Sequence, residues 1–341
     1  MATTEQICLS DRLPGLAIIA DDLTGALDAA APFAERGVRV RVATRAQALC
    51  DGLAGAEVVA VSTRSREISP SEAEAEVRAA LLALPAGVRV FKKVDSRLKG
   101  HIAAELRAFG DVPVLAVPAL PEFDRVVRDG AVQGWGVDQP IPVADRLGRD
   151  ALIPDVETLD DMRAALLAAP GHMIVGARGA AVALAEGYAV RPHTRPALTL
   201  PMVIVVGSTD PITLAQVAAL ITARPDIRHV EAPDGHAAAA PAPGVTLLQA
   251  VPGAGASGAE VAANLALCLR PLAEEAATLV LTGGATAEAA LDALGVTVLE
   301  LEGEQLPGLP VARGGPWRIV TKSGGFGHAD TLLTLAMGAG A

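Results

Sequence analysis

The chain has 341 residues, a length at which single hydrophobic cores stop growing, so two domains are expected. Hydrophobic residues make up 51% of it but aromatic residues only 2%, which leaves little material for stacking nucleic-acid bases. The net charge of -11 repels phosphate backbones and acidic membrane surfaces, so an anionic ligand needs a local cluster of Lys and Arg. Composition therefore argues against nucleic-acid and membrane partners.

The three cysteines, Cys8, Cys50 and Cys268, are widely spaced and form neither a CxxC nor a Cys/His pattern. This usage fits a reducing compartment. The stretch before Leu16 lacks a basic-then-apolar signal pattern, and no apolar run approaches the roughly 20 residues of a membrane span. The sequence predicts an unprocessed, soluble, cytoplasmic protein.

The first half alternates short apolar runs with alanine-rich amphipathic stretches. The pattern predicts strands over 16–20, 38–43, 56–62, 88–94, 112–117 and 172–175, and helices over 24–36, 71–84, 102–109 and 159–168. Residues 118–154, rich in Pro, Gly and charge, are predicted to be an irregular loop or lid. Such alternation indicates a largely parallel sheet, whose ligands bind beyond the carboxyl ends of the strands.

A proline-punctuated stretch, 191–201, is predicted to link a first domain, 1–195, to a second, 196–341. The rhythm then restarts, with strands over 202–206, 245–251 and 279–282, helices over 211–222, 257–269 and 286–294, and a flexible loop over 237–244. The predicted fold class is α/β, with two α/β domains of largely parallel sheets and a ligand cleft between them.

Two adjacent carboxylates, Asp21 and Asp22, stand where the first strand turns into a helix. One interpretation is structural: Thr24 would be the helix N-cap, and the acids would favour the positive end of the helix. The other is functional, because two acids at a strand end can orient substrate hydroxyls, and one can accept a proton during phosphoryl transfer.

Four cations and one carboxylate are concentrated in residues 92–100, between a predicted strand and a helix. Alternation lets Lys93 and Asp95 share one face of the chain. Lys93 can then bind a carboxylate or the transferred phosphoryl group, and Asp95 or Ser96 can hold a hydroxyl. Arg66 can add a bidentate carboxylate clamp. The alternatives are a solvated charge run and a surface arginine.

Three glycine-rich turns follow predicted strands of the second half. The turn over 282–286 opens a helix, where backbone N–H groups can approach phosphate. Gly207 and Ser208 repeat this arrangement at an earlier strand end. Residues 321–327 supply a third loop, in which Lys322 can meet phosphate and Phe326 can border a base or plug the core.

A dinucleotide fingerprint is also present, with glycines at Gly253, Gly255 and Gly258 between a predicted strand and a helix. Its acidic partner should lie at the end of the next strand, whereas Glu274 and Glu275 lie before that strand. A nicotinamide-dependent oxidoreductase is therefore an alternative hypothesis.

Together the motifs occur in the order typical of the four-carbon acid sugar kinase family, which this chain resembles in both halves. They are Ala-Asp21-Asp22-Leu-Thr-Gly-Ala, Ser-Arg66, Lys92-Lys93-Val-Asp95-Ser96, Gly207-Ser208, Thr282-Gly283-Gly284-Ala285-Thr286 and Thr321-Lys322-Ser-Gly324-Gly325-Phe326-Gly327. Members of this family phosphorylate threonate, erythronate and related 3-oxo-tetronates with ATP. The resemblance implies an N-terminal sugar-acid domain, a C-terminal nucleotide domain and a homodimer.

Carried over by position, the resemblance implies two sets of ligand contacts. The expected substrate contacts are Asp21, Arg66, Lys93, Asp95 and Ser96, and the expected nucleotide contacts are Ser208, Gly283, Gly284, Ala285, Thr286, Gly324 and Gly325. Catalytic roles are expected of Asp95, Asp22 and Lys93, with Asp95 slightly favoured as the base. The expected cofactors are ATP and Mg²⁺, and the sequence identifies no metal ligand.

This chain departs from the family pattern at one motif, where Asp-Ser-Thr-Leu-Arg-Gly-Asn is replaced by Asp-Ser-Arg-Leu-Lys-Gly-His at residues 95–101. Arg97 could therefore serve a differently placed acid group. The sequence predicts an ATP-dependent kinase that phosphorylates a hydroxyl of a short sugar acid. Besides the oxidoreductase, the alternative is a metabolite sensor that binds both ligands without turnover, and the altered segment is its support.

Overall fold

The computed structural model describes residues 14–339, so Cys8 lies outside the described residues. The chain divides into two compact units between His193 and Thr194, inside the proline-punctuated stretch 191–201. Among the described residues, none of the helices combines the length and the apolar character that crossing a membrane requires.

The first unit is built on a sheet of parallel strands in the order β2-β3-β1-β4-β9-β5. Its strands are β1 Leu16–Ala20, β2 Val40–Ala43, β3 Val58–Ser62, β4 Arg89–Lys93, β5 Val114–Val117, β6 Arg125–Arg128, β7 Ala131–Gly134, β8 Ile141–Pro142 and β9 Met173–Gly176. Its helices are α1 Leu23–Ala34, α2 Leu49–Leu53, α3 Pro70–Ala83, α4 Ile102–Arg107, α5 Val143–Leu147, α6 Leu159–Ala168 and α7 Arg178–Ala185.

Residues 118–154 are not the irregular loop that their composition predicts. They contain the antiparallel sheet β6-β7-β8 and helix α5. A two-residue turn joins β6 to β7, and both of its residues, Asp129 and Gly130, have positive φ angles. Asp-Gly between short β-branched runs is a typical hairpin signal, which the high Pro and Gly content of the segment obscured.

The second unit contains a sheet in the order β11-β12-β10-β13-β16-β15-β14, parallel from β11 to β16 and antiparallel from there. Its strands are β10 Met202–Val206, β11 Arg228–Pro233, β12 Val245–Val251, β13 Thr278–Thr282, β14 Val298–Leu306, β15 Leu309–Gly314 and β16 Trp317–Lys322. Its helices are α8 Pro211–Ala223, α9 Gly258–Ala273, α10 Gly284–Ala293 and α11 Thr331–Gly338.

The central strands of both units read as apolar runs because helices cover both faces of a parallel sheet. Every residue of β1 and of β10 is buried. In the second unit, Ile204, Leu247 and Val280 pack into one core with residues of α8 and α11. The predicted α/β class, with largely parallel sheets, is confirmed.

Candidate active site

The polar clusters of the first unit follow three strands that are neighbours in the sheet. Ala20, at the end of β1, pairs with Ser62 of β3 on one side and with Lys93 of β4 on the other. Because these strands are parallel, the residues that come next leave the sheet at the same edge. The clusters that the sequence places far apart are therefore brought together here.

Asp21 and Asp22 bind the same arginine. Arg66 donates from Nε and Nη2 to the two carboxylate oxygens of Asp21, at 2.8 and 3.0 Å, and from Nη1 to Oδ2 of Asp22, at 2.8 Å. The guanidinium of Arg66 is thus committed to these acids. Nη1 and Nη2 each keep a second N–H that can meet a ligand.

Asp21 and Arg66 also stabilise each other's charged form. Burial of Asp21 opposes its ionisation, but the hydrogen bonds and charge of Arg66, with the charges of Lys92 and Lys93, hold its pKa below the usual value. Burial likewise disfavours the charge of Arg66, and Asp21 overcomes this effect, so that the pKa of Arg66 is raised. Both groups are therefore ionised at neutral pH.

The N-cap of α1 is Asp22. The structural interpretation of this motif, which made Thr24 the N-cap, is therefore wrong about the capping residue. Asp22 has an extended backbone, and its Oδ1 accepts from the N–H of Gly25 at 2.8 Å. Thr24 lies in the first turn and donates its hydroxyl to Oδ2 of Asp22. Asp22 is the cap because it immediately precedes Leu23, the first residue of the helix. From this position its carboxylate accepts a hydrogen bond from an N–H that would otherwise be unpaired.

Lys92 and Lys93 point in different directions, as alternation along a strand requires. Lys92 is fully buried and forms an ion pair of 3.0 Å with Glu105 of α4, whose other oxygen accepts from Ser65. Lys93 is 5% exposed, and no hydrogen bond or ion pair joins its ammonium to another described residue. A Cβ atom added at Gly25 would lie 3.2 Å from this ammonium, which places it beside the start of α1.

Asp95 and Ser96 follow on the loop after β4. Oδ1 of Asp95 accepts from the backbone N–H of Arg97 at 2.9 Å, and Oδ2 accepts no hydrogen bond from the described residues. Ser96 accepts from Nη1 of Arg125. The loop therefore presents one carboxylate oxygen and one hydroxyl proton that remain available.

Sequence reasoning missed two functional candidates in this unit, Glu105 and Arg125. Glu105 could have been found from its place three residues after Ile102 and one before Leu106, on the buried face of a short helix. Arg125 begins β6, in the segment that was interpreted as a loop. The Asp129–Gly130 hairpin signal would have placed Arg125 on a strand.

In the second unit, the glycine-rich turns follow β10, β13 and β16, which are also neighbours in their sheet. A Cβ atom added at Gly207 would lie 2.1 Å from Oγ1 of Thr286, and one added at Gly324 would lie 2.4 Å from Oγ of Ser208. Close approach between these turns thus requires glycine. All the predicted nucleotide contacts lie on these turns, at one edge of the sheet.

The N-terminus of α10 has no side-chain cap, in contrast to those of α8 and α9. Its N-cap, Gly283, has a φ of 93° and offers no side-chain cap. By contrast, α8 is capped by Asp210 and α9 by Ser257 with Glu260. The first N–H groups of α10 are therefore available to an anionic ligand.

Lys322 and Phe326 have structural contacts in the third turn. The Lys322 ammonium donates to Oγ1 of Thr213 and to the carbonyls of Ser323 and Gly324, at 2.9 to 3.0 Å. Burial lowers its pKa to about 8, against the opposing charge of Asp210. Phe326 packs on the core of this unit, close to Gly308. Lys322 thus stabilises the turn by hydrogen bonds to its backbone carbonyls. Of the two roles considered for Phe326, the structure shows the packing against the core.

The dinucleotide fingerprint is occupied by the protein itself. Oδ2 of Asp234 accepts from the backbone N–H groups of Ala254 and Gly255. Gly258 begins α9 behind the Ser257 cap. A carboxylate therefore stands where a pyrophosphate would have to bind.

Two family models match the chain. One is described as a sugar-binding N-terminal domain and matches residues 16–141, and the other as a nucleotide-binding C-terminal domain and matches residues 236–332. Each charged cluster of the first unit falls in the first match, and the turns over 282–286 and 321–327 fall in the second.

Individual proteins are similar over nearly the whole chain. A D-threonate kinase of Bordetella bronchiseptica is 32% identical, with 95% of this chain and 97% of that protein covered. A 3-oxo-tetronate kinase of Methylobacterium radiotolerans is 28% identical, with 92% and 97% covered. A solved structure from Salmonella typhimurium LT2 has a TM-score of 0.76 at 18% identity, with 95% and 98% covered, and shows the same fold.

The two matched domains and these similarities define a phosphotransferase of the small-molecule kinase class. Within that class, the chain belongs to the four-carbon acid sugar kinase family.

Proposed function

We propose that this protein transfers the γ-phosphoryl group of ATP to a hydroxyl of a short sugar acid, a four-carbon acid such as threonate, erythronate or 3-oxo-tetronate. Support comes from relatives named as kinases of these acids. The observation that carries the proposal is the placement of the family's motifs. In each unit they follow three neighbouring strands, with charged side chains in the first unit and glycine-rich backbone in the second.

In this proposal the first domain, residues 1–195, binds the sugar acid. Asp21, Lys93, Asp95 and Ser96 line the site, and Arg66 holds the two acids while offering its remaining N–H groups. Lys93 supplies a buried positive charge that no described carboxylate contacts directly, although it lies near enough to Asp21 to lower the pKa of that acid. A buried ammonium that makes no direct ion pair is costly, so an anionic ligand in contact with it would stabilise it.

Asp95 is the proposed general base. Both oxygens of Asp22 are used, by Gly25, Thr24 and Arg66, which leaves it poorly suited to accept a further proton. Asp95 keeps Oδ2 available and is only partly buried. It can accept the hydroxyl proton while Lys93 and Ser96 hold neighbouring groups.

The second domain, residues 196–341, is the proposed nucleotide domain. Backbone N–H groups of Gly284, Ala285, Thr286, Gly324 and Gly325, with Ser208, would bind the phosphates of ATP, and the uncapped start of α10 favours negative charge. Gly283 would contribute the turn itself, because its own N–H donates to the carbonyl of Lys322. Phosphoryl transfer needs little covalent participation from the protein, so positioning and charge stabilisation are the main contributions of these residues.

The residues present are compatible with Mg²⁺ delivered as the ATP complex. No cluster of three or more His, Cys, Asp or Glu side chains suited to a metal ion occurs in residues 14–339. Mg²⁺ is commonly held by substrate phosphates, waters and one or two carboxylates, and Asp210 beside Gly325 could supply one. The ion would neutralise charge on the phosphates.

The structure weakens one rival and leaves the other to experiment. An oxidoreductase needs the fingerprint turn, whose N–H groups already bind Asp234. A sensor would bind sugar acid and nucleotide without turnover. The oxidoreductase should be stabilised by NAD(P) and not by ATP, which shifts of the melting temperature measure. The sensor should be stabilised by ATP but should release no ADP, whereas the kinase should do both. A homodimer is proposed from the family resemblance and a cytoplasmic location from the cysteine usage. Light scattering after gel filtration measures the assembly.

The test is ADP release from Mg·ATP with a panel of threonate, erythronate, 3-oxo-tetronate, glycerate and longer sugar acids. Acid-dependent ADP is expected with at least one four-carbon acid. Stabilisation by ATP with no ADP from any acid would favour the sensor, and stabilisation by NAD(P) but not by ATP would contradict the proposal.

A further inference from the structure

Arg125 is a buried cation without a carboxylate partner. It is 6% exposed, yet the described residues place no Asp or Glu oxygen within ion-pair distance of it. Its Nε and Nη2 donate to the backbone carbonyl of Trp135, at 2.9 and 2.8 Å, and its Nη1 donates to Ser96. Its guanidinium also stacks 5.1 Å from the centre of the Trp135 ring.

This arrangement departs from the pattern of the surrounding unit. Arg66 is paired with Asp21 and Asp22, and Lys92 is paired with Glu105. Burial, and then the nearby positive charge of Arg97, lowers the pKa of Arg125, and Asp95 only partly opposes them. Buried charges are ordinarily paired, so the position is suited to an anion that arrives from outside.

Two buried cations of the unit, Lys93 and Arg125, therefore form no direct ion pair with a carboxylate of the described residues, although Asp21 lies near Lys93 and Asp95 near Arg125. The proposed reaction brings two anionic groups to the site, the carboxylate of the sugar acid and the transferred phosphoryl group. Nη1 and Nη2 of Arg125 each keep an N–H, and the planar guanidinium fork matches a carboxylate. The hydroxyl of Ser96 adds a donor beside them. A lysine ammonium is a point charge, which suits a phosphoryl group equally well from several directions.

We infer that Arg125, together with Ser96, binds the carboxylate of the sugar acid and so selects acids over uncharged sugars, which leaves Lys93 to the phosphoryl group. The inference rests on the proposed function and identifies Arg125 as the residue that recognises the carboxylate of the substrate. Arg97, exposed on the same loop as Ser96, adds positive charge to this end of the site.

The test compares each acid of the panel with its primary amide, which has nearly the same shape but no charge. In the Arg125→Gln variant, KM for the acid should rise roughly 10- to 100-fold, because a hydrogen bond to a charged group is lost. KM for the amide should change little, so the preference for the acid is lost. Arg125→Lys should recover part of the preference. The matched control is Arg128→Gln on the same strand, an exposed residue paired with Glu157.

Two results would overturn the inference: an unchanged acid-to-amide ratio in folded Arg125→Gln, or an equal rise of KM for both. Either would reduce Arg125 to a support for Ser96 and Trp135. If Arg125→Gln does not fold, the ratio is read from Arg125→Lys, whose ammonium cannot reproduce the fork. An unchanged ratio there would likewise count against the inference.

A second readout separates this inference from the proposed function. The chain has two tryptophans, so Trp317→Phe leaves Trp135 as the reporter. Titration with threonate or erythronate should shift Trp135 emission in this background, and Arg125→Gln should abolish the shift. If no acid yields ADP but the shift persists, the kinase proposal fails and the carboxylate site stands. Turnover without any acid-dependent shift would count against the site.

Discussion

The N-terminal unit places charged side chains at the ends of its central strands, whereas the C-terminal unit places glycine-rich backbone there. The ligands proposed for them explain the difference. A sugar acid presents a few hydroxyls and one carboxylate, which need individual donors and acceptors such as Asp95, Ser96 and Arg125. A triphosphate presents many equivalent oxygens, which repeated backbone N–H groups can meet without charged side chains.

The two solutions need different support. The charged site lies over a buried network in which Lys92 binds Glu105 and Glu105 binds Ser65. The backbone site depends instead on close approach, because an added Cβ at Gly207 or Gly324 would overlap a neighbouring hydroxyl. The comparison therefore predicts different failures: loss of catalysis or folding in the first unit, and loss of ATP affinity in the second.

The largest effect is expected for Asp95→Asn. If Asp95 is the base, kcat should fall about 10²- to 10⁴-fold, with KM for the acid little changed. Asp138→Asn, at an exposed position of the same unit, is the control. Asp22→Asn should instead lower the melting temperature, because Asp22 caps α1 and holds Arg66. A full loss of kcat in Asp22→Asn, with Asp95→Asn active, would reverse the assignment.

The next effect concerns the buried pair beneath the charged site. Glu105→Gln leaves the Lys92 ammonium buried without a counterion, so the free energy of unfolding should fall by about 3–5 kcal/mol. Urea denaturation measures this change. The double variant Lys92→Met/Glu105→Leu should recover much of it, because an apolar pair of similar size is often tolerated.

An exposed ion pair provides the contrast. Glu157→Gln removes the partner of Arg128 on the surface of the same unit, and the urea midpoint should not move. Equal losses for Glu105→Gln and Glu157→Gln would mean that the buried network does not support the site.

Most of the parallel framework could be predicted from the sequence, because buried parallel strands are continuous apolar runs. The bounds of β1, β12 and α6 coincide with the predicted ones. The placement of Asp21, Lys93 and Gly283 at strand ends follows from the same pattern. The short strands β6 and β7 were missed, because Arg125 and Arg128 interrupt their apolar pattern and the segment is rich in Pro and Gly.

Side-chain partners were less predictable than positions. The sequence offers Arg66 as a clamp for a carboxylate, but the structure pairs it with two aspartates of the protein. Lys322 stands beside glycines in the sequence, yet its ammonium binds carbonyls of its own loop. Which of several nearby charges form pairs depends on distances between neighbouring strands of the sheet. The spacing of residues along the sequence does not give these distances.

A smaller effect is expected where backbone approach is blocked. Gly324→Ala would place a Cβ atom 2.4 Å from Oγ of Ser208, so the turns must separate. KM for ATP should rise roughly 10-fold, the size expected of moderate overpacking, while KM for the acid stays constant. Gly258→Ala is the matched control, since its Cβ meets nothing within 4 Å. A larger effect at Gly258 than at Gly324 would place the nucleotide at the fingerprint turn.

The smallest effect is a pH dependence set by Lys322. Burial lowers its pKa to about 8 from the usual 10.5, so between these values the unfolded chain binds more protons than the folded one. The contribution of Lys322 to the free energy of unfolding therefore rises with pH across this window. Nucleotide binding should change in the opposite sense. A neutral amine cannot maintain all three hydrogen bonds to Thr213, Ser323 and Gly324, and the third turn loosens.

The dissociation constant of ATP, measured by calorimetry without acid substrate, should therefore rise roughly 2- to 10-fold above pH 8, the worth of one hydrogen bond. The Lys322→Met variant should bind ATP more weakly at every pH. It should not show the rise of the dissociation constant above pH 8, because the titrating group is gone. If the dissociation constant still rises above pH 8 in this variant, the rise comes from the titration of another group. The backbone site would then lack the side-chain support that Lys322 gives it, and the contrast between the two units would be sharper still.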